Sequence, residues 1–239
     1  MTPFESLPRA IVFDVDGTLY RQGPLRRTMA IRLARAHWHR PLAGWRTARA
    51  LAAYRGAQEA LRHSGEAGGA HRQLDVAAER CGLPREMLAE CVGRWMEREP
   101  LARLADCARP GLVGFVEAAR TAGIRLGVFS DYPAHDKLEA LGIREHIAVV
   151  VCAQDPDVGV FKPNPLGINI ALTRLETDPG DALYVGDRHA VDAVAAAAAG
   201  VACVLVGGEA PGGASPRTRH AADFDQLATA LFGNITDNP

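Results

Sequence analysis

The chain has 239 residues, 48% hydrophobic and 23% charged, with 27 basic against 28 acidic side chains. That size and mix allow one large globular domain, or a domain with a sizeable insertion, and no apolar run reaches the roughly 18 residues that a transmembrane helix needs. The first residues, MTPFESLPRA, lack a basic region followed by an apolar stretch, so a cytoplasmic protein without a secretory signal is expected. The five cysteines are scattered and form no CxxC pair, which suits reduced thiols in such a compartment. The near-zero net charge hides a strong asymmetry. From Arg21 to Arg109 there are 17 arginines against 9 acids, and after Asp16 the next acid is Glu59. Lysine is almost absent: only Lys137 and Lys162 stand beside 25 arginines.

In chain order, the first element is an apolar run, AIVFDV (10–15), which reads as a strand ending in two carboxylates, Asp14 and Asp16. The interval from Tyr20 to Arg109 is different, because it holds no convincing strand. LRRTMAIRLARAHW, GWRTARALAAYRGAQEALRH, AHRQLDVAAERCG and PREMLAECVGRWMERE all place apolar residues at three- and four-residue spacing, the pattern of amphipathic helices. SGEAGGA (64–70) and CGLPRE (81–86) read as turns. Residues 21–107 are therefore expected to form a small all-α domain inserted into a core made of 1–20 and 108–239. RQGP and ARPG would supply hinges at its entry and exit.

From residue 108 onward, strands and helices alternate. Helical stretches at 111–123, 133–142, 164–175 and 189–200 separate apolar runs at 124–130, 147–153, 182–187 and 201–207. Near-continuous apolar strands alternating with helices predict an α/β core, a Rossmann-like parallel sheet with helices on both faces. The stretch 207–216 reads as a loop, and FDQLATALF as a last helix. Parallel sheets bind ligands at the carboxyl ends of their strands, which makes Asp14, Ser130 and Asp187 expected neighbours.

Two carboxylates two residues apart at a strand end disfavour each other's ionised form unless a positive charge is near. A carboxylate nucleophile needs just such a cation, and a second carboxylate two residues on can donate and accept protons. DVDGT (14–18) resembles the first motif of the haloacid dehalogenase superfamily of aspartate-nucleophile hydrolases. VFSDYP (128–133) resembles the second, a strand ending in a hydroxyl residue. VGVFKPNP (158–165) resembles the third, with Lys162 opening a helix, and LYVGDRHAVDA (183–193) resembles the fourth. The helical insertion sits where one type of cap sits in that superfamily, although its own sequence carries no specific match.

The resemblance implies a Mg²⁺-dependent phosphomonoester hydrolase. Asp14 would attack phosphorus to form an aspartyl-phosphate, with Asp16 as acid and then base. Ser130, the backbone N–H of Asp131, and Lys162 would hold the phosphoryl group. Asp14, Asp187 and the carbonyl of Asp16 would ligate the metal, with Asp192 supporting them from behind. Within the superfamily, dehalogenases lack the second aspartate, so Asp16 argues against carbon–halogen cleavage. Asp131 beside a phosphate site is a mild departure, and its side chain is expected to turn away or to touch the cap. Lys137 and His189 are expected on the surface.

The arginine-rich stretch, interleaved with Trp38, Trp45 and Tyr54, has three readings. It is a solvated helical face, or a cationic entrance for a multiply charged phosphate ester, or a basic interfacial surface that meets anionic lipid and presents a lipid-linked phosphate. No nucleic-acid-binding motif accompanies it. A phosphomutase of the same superfamily, and a non-catalytic membrane- or partner-binding module on the same fold, are the alternatives to a phosphatase. The expected partner is a small phosphorylated substrate. Oligomeric state is not legible.

Overall fold

A computed structural model describes residues 6–207 and 218–233. Six parallel strands form one sheet in the order β3-β2-β1-β4-β5-β6. They are β1 (Ala10–Phe13), β2 (Arg125–Ser130), β3 (Val149–Cys152), β4 (Ala182–Gly186), β5 (Ala202–Val206) and β6 (Thr218–Ala221). β1 lies centrally, with Phe13 opposite Val128 on one side and Val185 on the other. β1, β2, β4 and β5 are buried along nearly their whole length because both faces are covered, as the uninterrupted apolar runs anticipate.

Alternation along β1 divides the core. Ile11 and Phe13 face one cluster, with Phe115 and Val116 of α6 (Leu112–Thr121), Leu138 of α7 (His135–Ala140), and Phe224 and Leu227 of α10 (Phe224–Phe232). Ala10 and Val12 face the other, with Ile168 and Leu172 of α8 (Leu166–Arg174) and Ala195 and Ala196 of α9 (Val194–Ala198). β6 has no counterpart among the predicted strands. Its sequence, TRHA, is polar at its two middle positions, which are exposed at the sheet's edge, so no apolar pattern announces it. Most of the 207–216 loop lies outside the described residues.

The four predicted helices between β1 and α6 are present as α1 (Gln22–Ala36), α2 (Pro41–Ser64), α3 (Gly69–Cys81) and α4 (Arg85–Val92). α4 runs on through a π-helical stretch, Gly93–Arg98, into the short α5 (Glu99–Leu101). This helical segment has its own apolar cluster around Ala50, Tyr54, Ala57, Ala77, Leu88 and Val92. The two connections to the sheet run side by side: Arg21 N–H donates to Cys107 O at 2.8 Å and Arg109 N–H donates to Leu19 O at 2.9 Å.

The stretch 189–200 does not form one regular helix. His189–Ala193 is a π-helical turn, and only then does α9 begin. Asp192 sits inside that turn, and its carboxylate accepts the backbone N–H groups of Asp187 (3.2 Å) and Arg188 (3.0 Å). The widened turn thus folds back onto the end of β4, a distortion common where a helix carries a site.

Candidate active site

The carboxyl ends of β1, β2 and β4 converge on a cavity of about 630 Å³ between the sheet and the helical segment. Asp14 follows β1 directly and is anchored by its own N–H to Val185 O at 2.8 Å. Its buried carboxylate accepts the Lys162 ammonium on one oxygen and the Thr18 hydroxyl on the other, the latter at 2.7 Å. Lys162 also reaches Asp192 at 2.8 Å. Asp187, one residue past β4, completes the group, and ligand atoms of Asp14, Asp187 and Asp192 all lie within 4.8 Å of one another.

Burial alone would push all of these carboxyls up. Asp14 is raised well above the usual range by burial, against Lys162 and with the neighbouring Asp192 and Asp187 adding to it. Burial and Asp192 push Asp187 up to about 7. Asp192 goes the other way: burial raises it, but Lys162 and the two backbone N–H groups prevail and hold it below the ordinary value. Lys162, despite burial, is raised by Asp14 and Asp192. Three carboxylates share one ammonium, so the cluster is short of positive charge.

The donor set therefore fits a divalent cation on two further counts. Oδ1 of Asp187 is buried and has no hydrogen-bond partner, a position that a buried acceptor does not occupy without cost. Gly17 keeps that space open: its φ is +110°, and a Cβ there would lie 2.1 Å from Asp187 Oδ2. Hard carboxylate oxygens suit Mg²⁺ over softer metals.

Asp16 faces the same cavity from the opposite side of the turn. The Lys137 ammonium contacts both its oxygens at 2.7 Å, and the Tyr20 hydroxyl donates to one of them. Burial pushes Asp16 up, but Lys137 and Tyr20 overcome it and hold the carboxyl below its usual value. Lys137 is thus no surface residue. It is buried, because α7 packs its first turns against the β1 turn, a closeness that no local pattern reports. The scarcity of lysine marked Lys162 and applied equally to Lys137: both lysines of the chain sit on the paired aspartates.

Ser130 ends β2, fully buried, and its hydroxyl accepts the Tyr132 N–H at 3.2 Å. The cavity wall at this point is formed by Asp131, Tyr132 and Pro133. Asp131 turns its carboxylate to Arg62 of α2 at 2.5 Å, away from Lys162 Nζ, and accepts the Lys162 backbone N–H at 3.3 Å. Arg62 was not singled out in the sequence. It is buried, donates to Lys162 O at 2.7 Å and pairs with Glu59, so one guanidinium ties α2 to two of the motifs. Arg109 is another omission: it caps the carbonyls of Gly17 and Thr18 at 2.5 and 2.9 Å. His189 is exposed, as expected.

The fold is a Rossmann-like parallel sheet with an aspartate cluster at the carboxyl ends of its central strands. The family model described as haloacid dehalogenase-like hydrolase matches residues 8–200, and the chain belongs to that family. It is 31% identical to the glyceraldehyde 3-phosphate phosphatase of Methanopyrus kandleri, over 83% of this chain and 83% of that protein. It is also 31% identical to the phosphoglycolate phosphatase of Rhodospirillum rubrum, over 84% of this chain and 80% of the other. A shorter match, to YhcW of Bacillus subtilis, is 30% identical and spans 52% of this chain and 60% of that protein. The fold is shared with the crystal structure of CbbY from Rhodobacter sphaeroides in complex with phosphate, at a TM-score of 0.62 and 24% identity, covering 95% and 100% of the two chains.

Proposed function

We propose that this chain is a magnesium-dependent phosphomonoester hydrolase acting through an aspartyl-phosphate on Asp14, with residues 21–107 serving as a cap. It is an enzyme of the phosphatase kind. The observation that carries the reading is the pairing of two aspartates in one cavity with opposite surroundings: Asp14 on Lys162 beside the unsatisfied Asp187 oxygen, Asp16 on Lys137. The two carboxylates occupy separate surroundings in one cavity, a geometry in which one can attack while the other handles protons.

Asp14 and Asp187 would hold Mg²⁺, with Asp192 orienting Lys162 behind them. When bound, the cation supplies charge neutralisation for the transferring phosphoryl group and its carboxylate attacker. The chain's residues do the rest. An oxygen of Asp14 attacks phosphorus in line, a P–O bond to Asp14 forms, and the bond to the leaving alcohol breaks. Asp16 gives its proton to that alcohol's oxygen. In the second stage Asp16 takes a proton from water as the water attacks the phosphoryl group, returning Asp14 and releasing phosphate. Lys162, Ser130 and the N–H of Asp131 stabilise the phosphoryl oxygens, the larger part of what such transfers need.

The substrate is expected to have an apolar body. Leu25, Met29 and Leu33 of α1 and Leu51 of α2 line the cavity above the aspartates, with Trp95 and Met96 opposite. Arg26 and Arg55 stand on the same wall without a carboxylate partner among the described residues, placed to meet a second anionic group. Release of phosphate from an aryl phosphate, with and without Mg²⁺, tests the reaction. Asp14→Asn is expected to abolish turnover by more than about a thousandfold. Wild type and variant equally inert over a broad panel of esters would end the proposal.

A further inference from the structure

The tip of the α1–α2 hairpin exposes large apolar side chains that are not covered by any of the described residues. Trp38, in the turn between the helices, is 78% exposed. Leu42 and Trp45, three residues apart on the first turns of α2, are 75% and 59% exposed, and Met87 of the adjoining α4 is 60% exposed. Scattered exposed leucines need no explanation, but two tryptophans and a leucine within eight residues form a patch that does.

The same tip is strongly and uniformly basic. No acid occurs between Asp16 and Glu59, while nine arginines do. Among the described residues, only Arg32 of the nine makes an ion pair. Arg35, Arg40 and Arg46, all exposed, flank the tryptophans in sequence, and Arg49 lies over the Trp45 ring at 5.6 Å. A shallow groove beside them is walled by His39, Arg40, Leu42, Arg46, Leu83 and Met87, with no carboxylate in its lining. Tyr54, the third aromatic of this segment, is by contrast buried in the cluster that holds α2 to α3 and α4. The α1–α2 hairpin thus keeps Tyr54 inside and leaves Trp38 and Trp45 exposed.

We propose that this tip docks on the surface of an anionic phospholipid bilayer. Tryptophan favours the boundary between headgroups and acyl chains, and arginine favours anionic headgroups while laying its stem on apolar surface. A second copy of the chain is a poorer occupant. A two-fold contact through this patch would set Arg40 and Arg46 against the same arginines, with the nearby acids, Glu86 and Glu90 of α4, outside the groove lining. The geometry adds a consequence. One turn below Trp45, Ala48 and Leu51 wall the candidate active-site cavity, as do Ala30 and Leu33 on α1. A bilayer touching the tip would lie against the outer rim of that cavity.

Flotation with vesicles of phosphatidylcholine alone, and of phosphatidylcholine with an equal share of phosphatidylglycerol, tests the proposal. Binding is expected to the anionic vesicles only, and to be released at about 0.5 M salt as screening removes the arginine contribution. Trp38→Ser/Leu42→Ser/Trp45→Ser and, separately, Arg40→Glu/Arg46→Glu are each expected to weaken binding by more than about tenfold. Each arginine near the surface accounts for roughly fivefold. All five positions are exposed, so circular dichroism should show both variants folded. If the apolar variant fails to fold, the charge variant and the salt series still decide. No flotation with either composition overturns the proposal, as does flotation that neither variant changes. A wild-type dimer that the apolar variant turns into a monomer would assign the face to a second copy instead.

Discussion

Lys137 sets the behaviour of Asp16. An ammonium in contact with both oxygens favours the carboxylate, the form required of the base that activates water, and opposes the protonated form required of the acid. Removing the charge, as in Lys137→Met, is expected to raise the Asp16 carboxyl. The limb of the kcat/KM profile that reports a protonated acid should then move to higher pH, while kcat falls by roughly tenfold as the carboxylate loses its orientation. An unmoved pH profile would show that Lys137 is merely structural. Asp192 is the second residue whose removal tells. It is held by Lys162, two backbone N–H groups and the nearby Tyr184 hydroxyl at 3.3 Å. Asp192→Ala leaves Lys162 on Asp14 but strands the N–H groups of Asp187 and Arg188, and is expected to cost about 1–3 kcal/mol of stability, offset in part by relief of its repulsion with Asp14 and Asp187, read by urea unfolding. Asp192→Asn, which keeps an acceptor, should cost less.

Among the elements, α2 joins the helical segment to the sheet. Gln58 accepts the Tyr132 hydroxyl at 2.7 Å, Arg62 takes Asp131 and the Lys162 carbonyl, and Glu59 meets Arg188 at 3.4 Å. On the next helix, Gln73 of α3 receives Gln154 at 2.8 Å. These bonds link the helical segment to the second, third and fourth motifs at once. Arg62 and Asp131 are both buried, so removing one alone strands a charge. Arg62→Leu is therefore expected to destabilise more than Arg62→Leu/Asp131→Leu. A double-mutant cycle should return a coupling of at least about 1.5 kcal/mol, and additive effects would deny the pair its role. The sequence allows a contact between Asp131 and the cap, but not the identity of its partner. Arg62 sits in a helix with arginines on every side, and its burial depends on how α2 crosses the ends of β2 and β4.

For the molecule as a whole, the aspartate cluster makes stability depend on pH and on metal. Asp187 titrates near 7 in the folded chain without a cation, against 3.8 for the free group. Between those values the folded state binds a proton that the unfolded state has lost. Stability of the magnesium-free protein should therefore fall as pH rises from about 4 to 7, then level off. Mg²⁺ would bind the ionised cluster and is expected to restore stability most above pH 7. Thermal unfolding in chelator at pH 5 and pH 8, then with Mg²⁺, checks both signs; a Tm in chelator that rises across this range would contradict them. No described helix is long and apolar enough to cross a membrane.

Local chemistry settles much of this protein before any folding is considered. Apolar runs broken by helical periods define the parallel sheet, because strands covered on both faces must be apolar throughout. Asp14 and Asp187 are legible because each follows a strongly patterned strand, and Asp16, Lys162 and Asp192 through their resemblance to the family's motifs, although Lys162 lies in a turn before α8 instead of opening it. Tertiary structure alone decides the rest. Lys137 becomes a partner of Asp16 only when α7 closes on the β1 turn, and Arg62 becomes buried only when α2 crosses the sheet. β6 pairs at an edge that needs no apolar pattern. For Trp38 and Trp45 the sequence leaves a solvated face, an entrance and an interfacial surface open, and only packing shows that both stay exposed among the described residues. Periodicity reports which face of an element is apolar. It does not report which other element, if any, arrives to meet that face.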